Sequence, residues 1–278
     1  MVSESTIKEM KSIAVKLRRD VLEMIGVNTA GHWGGSYSLA EITAVLYFYR
    51  MNFGKDKLKD PDRDRLLLSK GHGALIQYAA FCEMGLFPRE ELKRLKALNG
   101  LLQGHPDLSI PGIEAVTGSL GQGLSIGLGM ALALRLNNSP AKVFVVMGDG
   151  EQSEGQIWEA AQAVAAHKVD NLIGFIDWNK LQAMGPTKDI FEIPNLDEKW
   201  KSFGWEVFTT DGHDPAAIIE TLEKAEAVKG RPALIILDTV KGKGVSFAEG
   251  NPAFHNGIMD EAAYKKAIQE LDAAKARI

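Results

Sequence analysis

Residues 143–160 read VFVVMGDGEQSEGQIWEA. An apolar run, Val143 to Met147, leads into Gly148-Asp149-Gly150, and an amphipathic stretch follows. A short unbroken apolar run closed by glycine and followed by helical spacing reads as a buried strand feeding a helix. The same unit recurs outward from this point. "RLLLS" (65–69), "KVFVVM" (142–147), "NLIGFID" (171–177), "WEVFTT" (205–210) and "ALIILDTV" (233–240) read as strands. Spacing of three and four predicts helices over 5–25, 38–52, 73–85, 88–98, 154–167, 214–228 and 260–276. Residues 119–136 are Gly- and Ala-rich and apolar almost all round, which predicts a buried helix with close neighbours. Apolar strands alternating with helices imply an α/β fold, a doubly wound, mostly parallel sheet with helices on both faces. The strand order is not readable. No repeat or linker divides residues 1–278, so one domain is expected.

The composition excludes several function classes. The chain has 278 residues, 45% hydrophobic and 24% charged, and a net charge of −4. Its basic residues are scattered, which argues against nucleic acid. "KLRRD" (16–20) reads as a solvated helix face. The single Cys82 lies in "YAAFCEMGLF", the setting of a small buried hydrophobe. The N-terminus lacks the pattern of a signal peptide, and no apolar run approaches the ~20 residues of a membrane span. A cytoplasmic protein is expected.

Parallel sheets bind ligands beyond the carboxyl ends of their strands, where Asp149 stands. The next strand ends in "DWN", with Asn179 thirty positions after Asp149. Two oxygen donors at neighbouring strand ends suit a hard cation such as Mg²⁺, with substrate phosphates completing its shell. Glycines would let a phosphate approach the backbone. The same residues also close strands as turn formers, and spacing alone leaves both readings open. There is no GxxxxGK[ST], and "GQGLSIG" (121–127) misses the dinucleotide fingerprint by one residue.

Four of the six histidines follow a glycine: His32, His72, His105 and His213. His255 lies in another predicted loop, and His167 ends a helix, where a structural role beside the last carbonyls is expected. Any one loop histidine is ordinarily a turn residue. Several around one sheet point to proton transfer, since imidazole both donates and accepts near neutral pH. No Cys/His spacing supports zinc.

"GDG" followed thirty residues later by Asn, after an apolar strand, resembles the thiamine diphosphate and Mg²⁺ motif. "SKGHG", "GHPD…PGIEAVTGSLGQG", "GDGEQSEGQIWEAA" and "DTVKGKGVSFAEGNPAFHNG" resemble transketolase specifically, over residues 10–260. The resemblance implies Mg²⁺ held by Asp149, Asn179 and the Leu181 carbonyl, with Gly150 facing the diphosphate. Gly118, Ser119 and Leu120 would line the aminopyrimidine, and His72, Lys241 and His255 would lie near the diphosphate. His32, His72, His105 and His255 would line a channel for ketose hydroxyls and pass protons. Glu154 would stand at a subunit contact linking two cofactor sites, and His213 and His167 would be scaffold. The implied reaction moves a two-carbon ketol unit from a ketose to an aldose.

Family enzymes place the activating glutamate in a second, pyrimidine-binding domain, followed by a C-terminal domain. The sequence ends at "DAAKARI", with no room for either. A separate partner chain carrying both is implied, in an α₂β₂ assembly, and the lone chain is expected to be inactive. Two features depart from the family. "GHWGGSYS" has Trp33 where a proline is usual, and Trp33 and Tyr37 either reshape the channel or, as expected here, pack at the partner interface. "LQAMG" (181–185) replaces the usual small or acidic residues. The alternatives are the α subunit of a 2-oxo acid dehydrogenase E1 component, deoxyxylulose-phosphate synthase, and a non-catalytic thiamine diphosphate-binding protein. "SKGHG" and "GHPD" argue against the first, chain length against the second, and the retained histidines against the third.

Overall fold

The computed structural model describes residues 2–278. Helix α1 (Glu4–Ile25) opens where the Ser3 hydroxyl accepts the Thr6 N–H at 3.1 Å, a side-chain cap. The chain continues through α2 (Gly34–Tyr37), α3 (Ala40–Val45), β1 (Arg65–Leu68), α4 (Ala74–Glu83), α5 (Gln122–Leu136) and β2 (Val143–Gly148). Then come α6 (Gly155–Ala166), β3 (Leu172–Trp178), α7 (Thr187–Ile190), α8 (Leu196–Ser202), β4 (Glu206–Asp211), α9 (Pro215–Ala227), β5 (Ala233–Asp238) and α10 (Glu261–Lys275). Asp214 and Asp260 cap α9 and α10 in the same way as Ser3, and Pro215 occupies the first turn of α9, where no N–H is required.

All five strands are parallel, in the order β1-β2-β3-β5-β4. Alternate residues face opposite ways, so each strand feeds two cores. Leu66, Leu68, Phe144, Val146, Phe175 and Ile235 pack towards α1, α3, α4 and α9. Leu67, Val145, Met147, Ile176, Leu234 and Ile236 pack towards α5, α6 and the buried Trp200 and Trp205. Burial on both faces is why these strands read as unbroken apolar runs. Each such side chain contributes about 1.5–3 kcal/mol relative to exposure.

Four expectations need correction. The 16–20 stretch is not a solvated face: Arg18 and Asp20 are buried, Arg18 gripping Glu41 at 2.7 Å and donating to the Tyr37 carbonyl. The helix expected over 38–52 is α3 followed by a π turn over Leu46–Arg50. The helix expected over 88–98 is a 3₁₀ segment, Arg89–Arg94. It stops where Leu95 turns to extended backbone (ψ 126°), and Lys96 then takes a left-handed conformation (φ 59°) and donates its N–H to the Leu102 carbonyl. Finally, α5 is buried on one side only, and Leu136 is 83% exposed.

Cys82 is buried among apolar neighbours, as its context implied. Among the described residues, no helix is long and apolar enough to cross a membrane. The carboxyl ends of β1, β2, β3 and β5 lead directly into Lys70, Asp149, Asn179 and Lys241.

Candidate active site

These strand ends enclose a cavity of about 230 Å³ lined by Lys70, His72, Leu120, Asp149, Gly150, Glu154, Asn179, Leu181, Lys241 and His255, among others. Asp149 leaves β2 with its carboxylate accepting the N–H groups of Gly150 and Lys180. Burial first, and then the neighbouring Asp177, push its carboxyl up to about 6 against those two hydrogen bonds. The Asn179 Oδ1 accepts the Leu181 N–H at 3.1 Å, and the Leu181 carbonyl accepts the Lys241 ammonium at 2.6 Å. A carboxylate, an amide oxygen and a backbone carbonyl thus belong to residues that line one cavity. This is a donor set for a hard divalent cation, which would return the Asp149 carboxyl to full charge. Burial and the Lys70 charge bring Lys241 down to about 8, partly opposed by Asp149 and Asp177.

The four histidines singled out from sequence come together from four separate loops. His255 accepts the Lys241 ammonium at 3.1 Å, and its ring centre lies 5.0 Å from that of His72. His32 stands 5.6 Å from His72, 5.4 Å from His255 and 5.8 Å from His105. All four are held neutral. Burial, then Lys70 and the other imidazoles, lower His72 to about 2; burial and Lys241 lower His255 to about 3. Burial and His105 lower His32 to about 4, and burial followed by Lys96 lowers His105. Neutral imidazoles in a row can each donate to one hydroxyl and accept from another. Among the described residues, no group of three or more His, Cys, Asp or Glu side chains could hold a metal ion.

Gly118 (φ 128°) lies against the row, and a Cβ there would come within 2.5 Å of the His105 ring. Ser119 is exposed beside it, and Leu120 lines the cavity. Glu154 is exposed at the rim. His213 is apart from the row. It accepts the Val240 N–H at 2.8 Å through Nε2 and so donates through Nδ1 to Glu41, joining the Arg18–Glu41 pair. His167 caps α6 through its backbone.

Trp33 and Tyr37 are wholly buried in this chain's own core, so the expectation of a partner interface is overturned. The Trp33 ring packs 5.1 Å from Phe254, and its indole N–H donates to the Gly257 carbonyl at 3.3 Å. Trp33 therefore fastens the His32 loop to the His255 loop.

Three buried ionisable residues, Lys70, Asp177 and Glu151, were not singled out from sequence. Asp177 accepts hydrogen bonds from Lys70, Ser38 (2.7 Å), Asn179 (2.9 Å) and Thr239. Burial would raise its carboxyl, but Lys70 and these donors outweigh it and hold the group below the ordinary range. Glu151 accepts from Ser69 and from the N–H groups of Gly121 (2.8 Å) and Gly148 (2.9 Å). The available signal was an ionisable residue placed directly at, or just past, the end of an apolar strand.

The family described as "Transketolase, thiamine diphosphate binding domain" matches residues 9–275. The chain belongs to this family. It is 44% identical over 257 residues to "6-deoxy-6-sulfo-D-fructose transketolase subunit SqwG" from Clostridium sp. (strain MSTE9), covering 92% of this chain and 94% of that one. It is 39% identical to an apulose-4-phosphate transketolase subunit from Phocaeicola vulgatus, covering 92% and 91%. The crystal structure of Campylobacter jejuni transketolase superposes with a TM-score of 0.86 at 28% identity. That match covers 99% of this chain and 46% of the transketolase chain, so the chain spans less than half of that solved enzyme. The chain has the fold of the transketolase thiamine diphosphate-binding domain.

Proposed function

We propose that this chain is the diphosphate-binding subunit of a two-chain transketolase, transferring a two-carbon ketol unit from a ketose to an aldose. The observation that carries the reading is the row of four neutral imidazoles running out from the Asp149–Asn179–Leu181 oxygen cluster. In this reading those three oxygens hold Mg²⁺. Gly150, His72, Lys241 and His255 surround a diphosphate, and Gly118, Ser119 and Leu120 flank an aminopyrimidine. Bound thiamine diphosphate supplies a nucleophilic carbon and an electron sink, chemistry that side chains lack.

The chain's own contribution is placement and proton traffic. His32, His72, His105 and His255 hydrogen-bond the sugar hydroxyls and take or return their protons. Neutral rings suit this role, since an imidazolium could only donate. The partner chain supplies the pyrimidine-binding domain with its glutamate and the C-terminal domain. Glu154, on the rim, lies at the subunit contact, and the assembly is α₂β₂ in the cytoplasm. The names of the two subunit relatives point to ketoses ending in a sulfonate or a phosphate, and we take an anionic-tailed ketose as the substrate class.

The test is ketol transfer with Mg²⁺ and thiamine diphosphate by this chain, by a candidate partner, and by the mixture. Activity in the mixture alone, abolished by Asp149→Ala, supports the reading. Turnover by the chain alone overturns it.

A further inference from the structure

We propose that the side-chain amide of Gln182 donates a hydrogen bond to the diphosphate of the cofactor, a binding contact additional to those described above. The inference deepens the proposed function and rests on it for the identity of the anion.

Gln182 belongs to "LQAMG", the stretch that departs from the family pattern. These residues form a tight turn. The Gln182 N–H donates to the Gly185 carbonyl at 2.8 Å, Leu181 and Pro186 pair as an antiparallel bridge, and the Thr187 N–H donates to the Lys180 carbonyl at 2.9 Å. The turn is rooted at Leu181, whose carbonyl is one of the three proposed metal-holding oxygens. At its tip Met184 is 88% exposed, whereas Gln182 turns back to line the cavity.

The Gln182 amide nitrogen is buried and has no hydrogen-bond partner. Among the described residues it is the one such side-chain atom that belongs to the cavity wall. Folded proteins pair nearly all buried donors, because an unmet donor gives up its hydration without return. A donor left open at a cavity wall fits an acceptor carried by a ligand. The same side chain accounts for Gly150. A Cβ there would lie 2.9 Å from the Gln182 Cγ and 3.1 Å from its Cδ, so the missing methyl makes room for the Gln182 stem. The amide thus rests on the residue that the proposed function sets beside the diphosphate.

The charge nearby favours an oxyanion as that ligand. Lys241 lines the same cavity, and its ammonium is held by two neutral acceptors, the Leu181 carbonyl at 2.6 Å and His255 at 3.1 Å. A cation bonded only to neutral groups and an amide donor without a partner together suit phosphate oxygens.

The experiment measures binding by calorimetry to the full chain mixed with its partner, with Mg²⁺ at neutral pH. The ligands are thiamine diphosphate and inorganic diphosphate, which carries the anion alone. Gln182→Leu removes the donor and keeps its bulk. Gln182→Glu sets a carboxylate against the phosphate, and Met184→Ala alters the same turn outside the cavity. Kd for both ligands should rise about 10- to 100-fold in Gln182→Leu, as for one lost hydrogen bond to a charged acceptor, and further in Gln182→Glu. Met184→Ala should bind as the wild type does. The ligand-free unfolding midpoint of Gln182→Leu should not fall, since only an unpaired donor is lost.

Unchanged affinity in Gln182→Leu overturns the proposal. Unchanged affinity in Gln182→Glu also overturns it, because the amide then presents its oxygen to a donor. A lowered midpoint means that the amide is bonded within the chain, and an equal loss in Met184→Ala assigns the effect to the turn; either result overturns the proposal. Ketol transfer by the wild-type mixture tests the functional reading separately. Transfer without any Gln182 effect removes this inference alone, and a Gln182-dependent diphosphate site without transfer removes the functional reading alone. Absence of diphosphate binding by the wild type overturns both.

Discussion

Asp149 is the residue at which the opening stretch of sequence becomes chemistry. Two backbone N–H groups point at its carboxylate, yet burial and Asp177 keep it above the ordinary carboxylate range. Asp149→Ala should leave the fold intact and weaken Mn²⁺ and thiamine diphosphate binding by more than the roughly 10- to 100-fold cost of losing an outer-shell partner, read by calorimetry. His72 gives a pH signature. In the unfolded chain a histidine takes up its proton near pH 6.5, whereas folded His72 resists to about 2. Over that window the unfolded state binds more protons, so this contribution to stability is complete above about pH 6.5 and is lost as pH falls. Denaturant titrations should show His72→Gln losing less stability on acidification than wild type, by up to about 1.4 kcal/mol per pH unit below 6.5. At this scale the sequence was legible where residue type and position coincide: the four loop histidines and the donors after β2 and β3. It was silent on Asp177 and Glu151, whose importance lies in partners up to 139 and 82 residues away, Ser38 and Ser69.

Among the elements, the strands were read closely because burial on both faces leaves a strong pattern. The segments over 38–52 and 88–98 were read less well. A π turn shares helical spacing with an α-helix, and the 3₁₀ segment ends where the backbone of Leu95 becomes extended ahead of the left-handed Lys96. Trp33 was misplaced for a related reason: an aromatic beside a channel motif does not reveal which way it faces. It packs inward and clamps the His255 loop, so Trp33→Ala should cost about 3–5 kcal/mol, measured by denaturation. Trp33→Phe, which keeps a ring but drops the bond to Gly257, should cost less. The β1 and β3 ends are joined by the buried Lys70–Asp177 pair. Lys70→Met strands a buried charge and should destabilise by about 3–5 kcal/mol. Adding Asp177→Asn should recover part of that loss, a coupling that a double-mutant cycle resolves.

For the whole molecule, sequence conveyed the layering of helices on a parallel sheet but not the order β1-β2-β3-β5-β4, which depends on how connections cross the sheet. It also described α5 as apolar all round, whereas this chain alone covers only one side of it. With the proposed partner present, the exposed side becomes the natural place for association. Leu136→Lys should therefore leave the unfolding midpoint nearly unchanged while lowering the sedimentation coefficient of the mixture. The Asp177 carboxylate has a consequence of another kind. It fastens Ser38, Lys70, Asn179 and Thr239, four segments far apart along the chain, at a single buried point. None of these loops can swing free without releasing the others, so amide protons around them should exchange with deuterium at a common rate. The floor of the site opens as one body or remains shut.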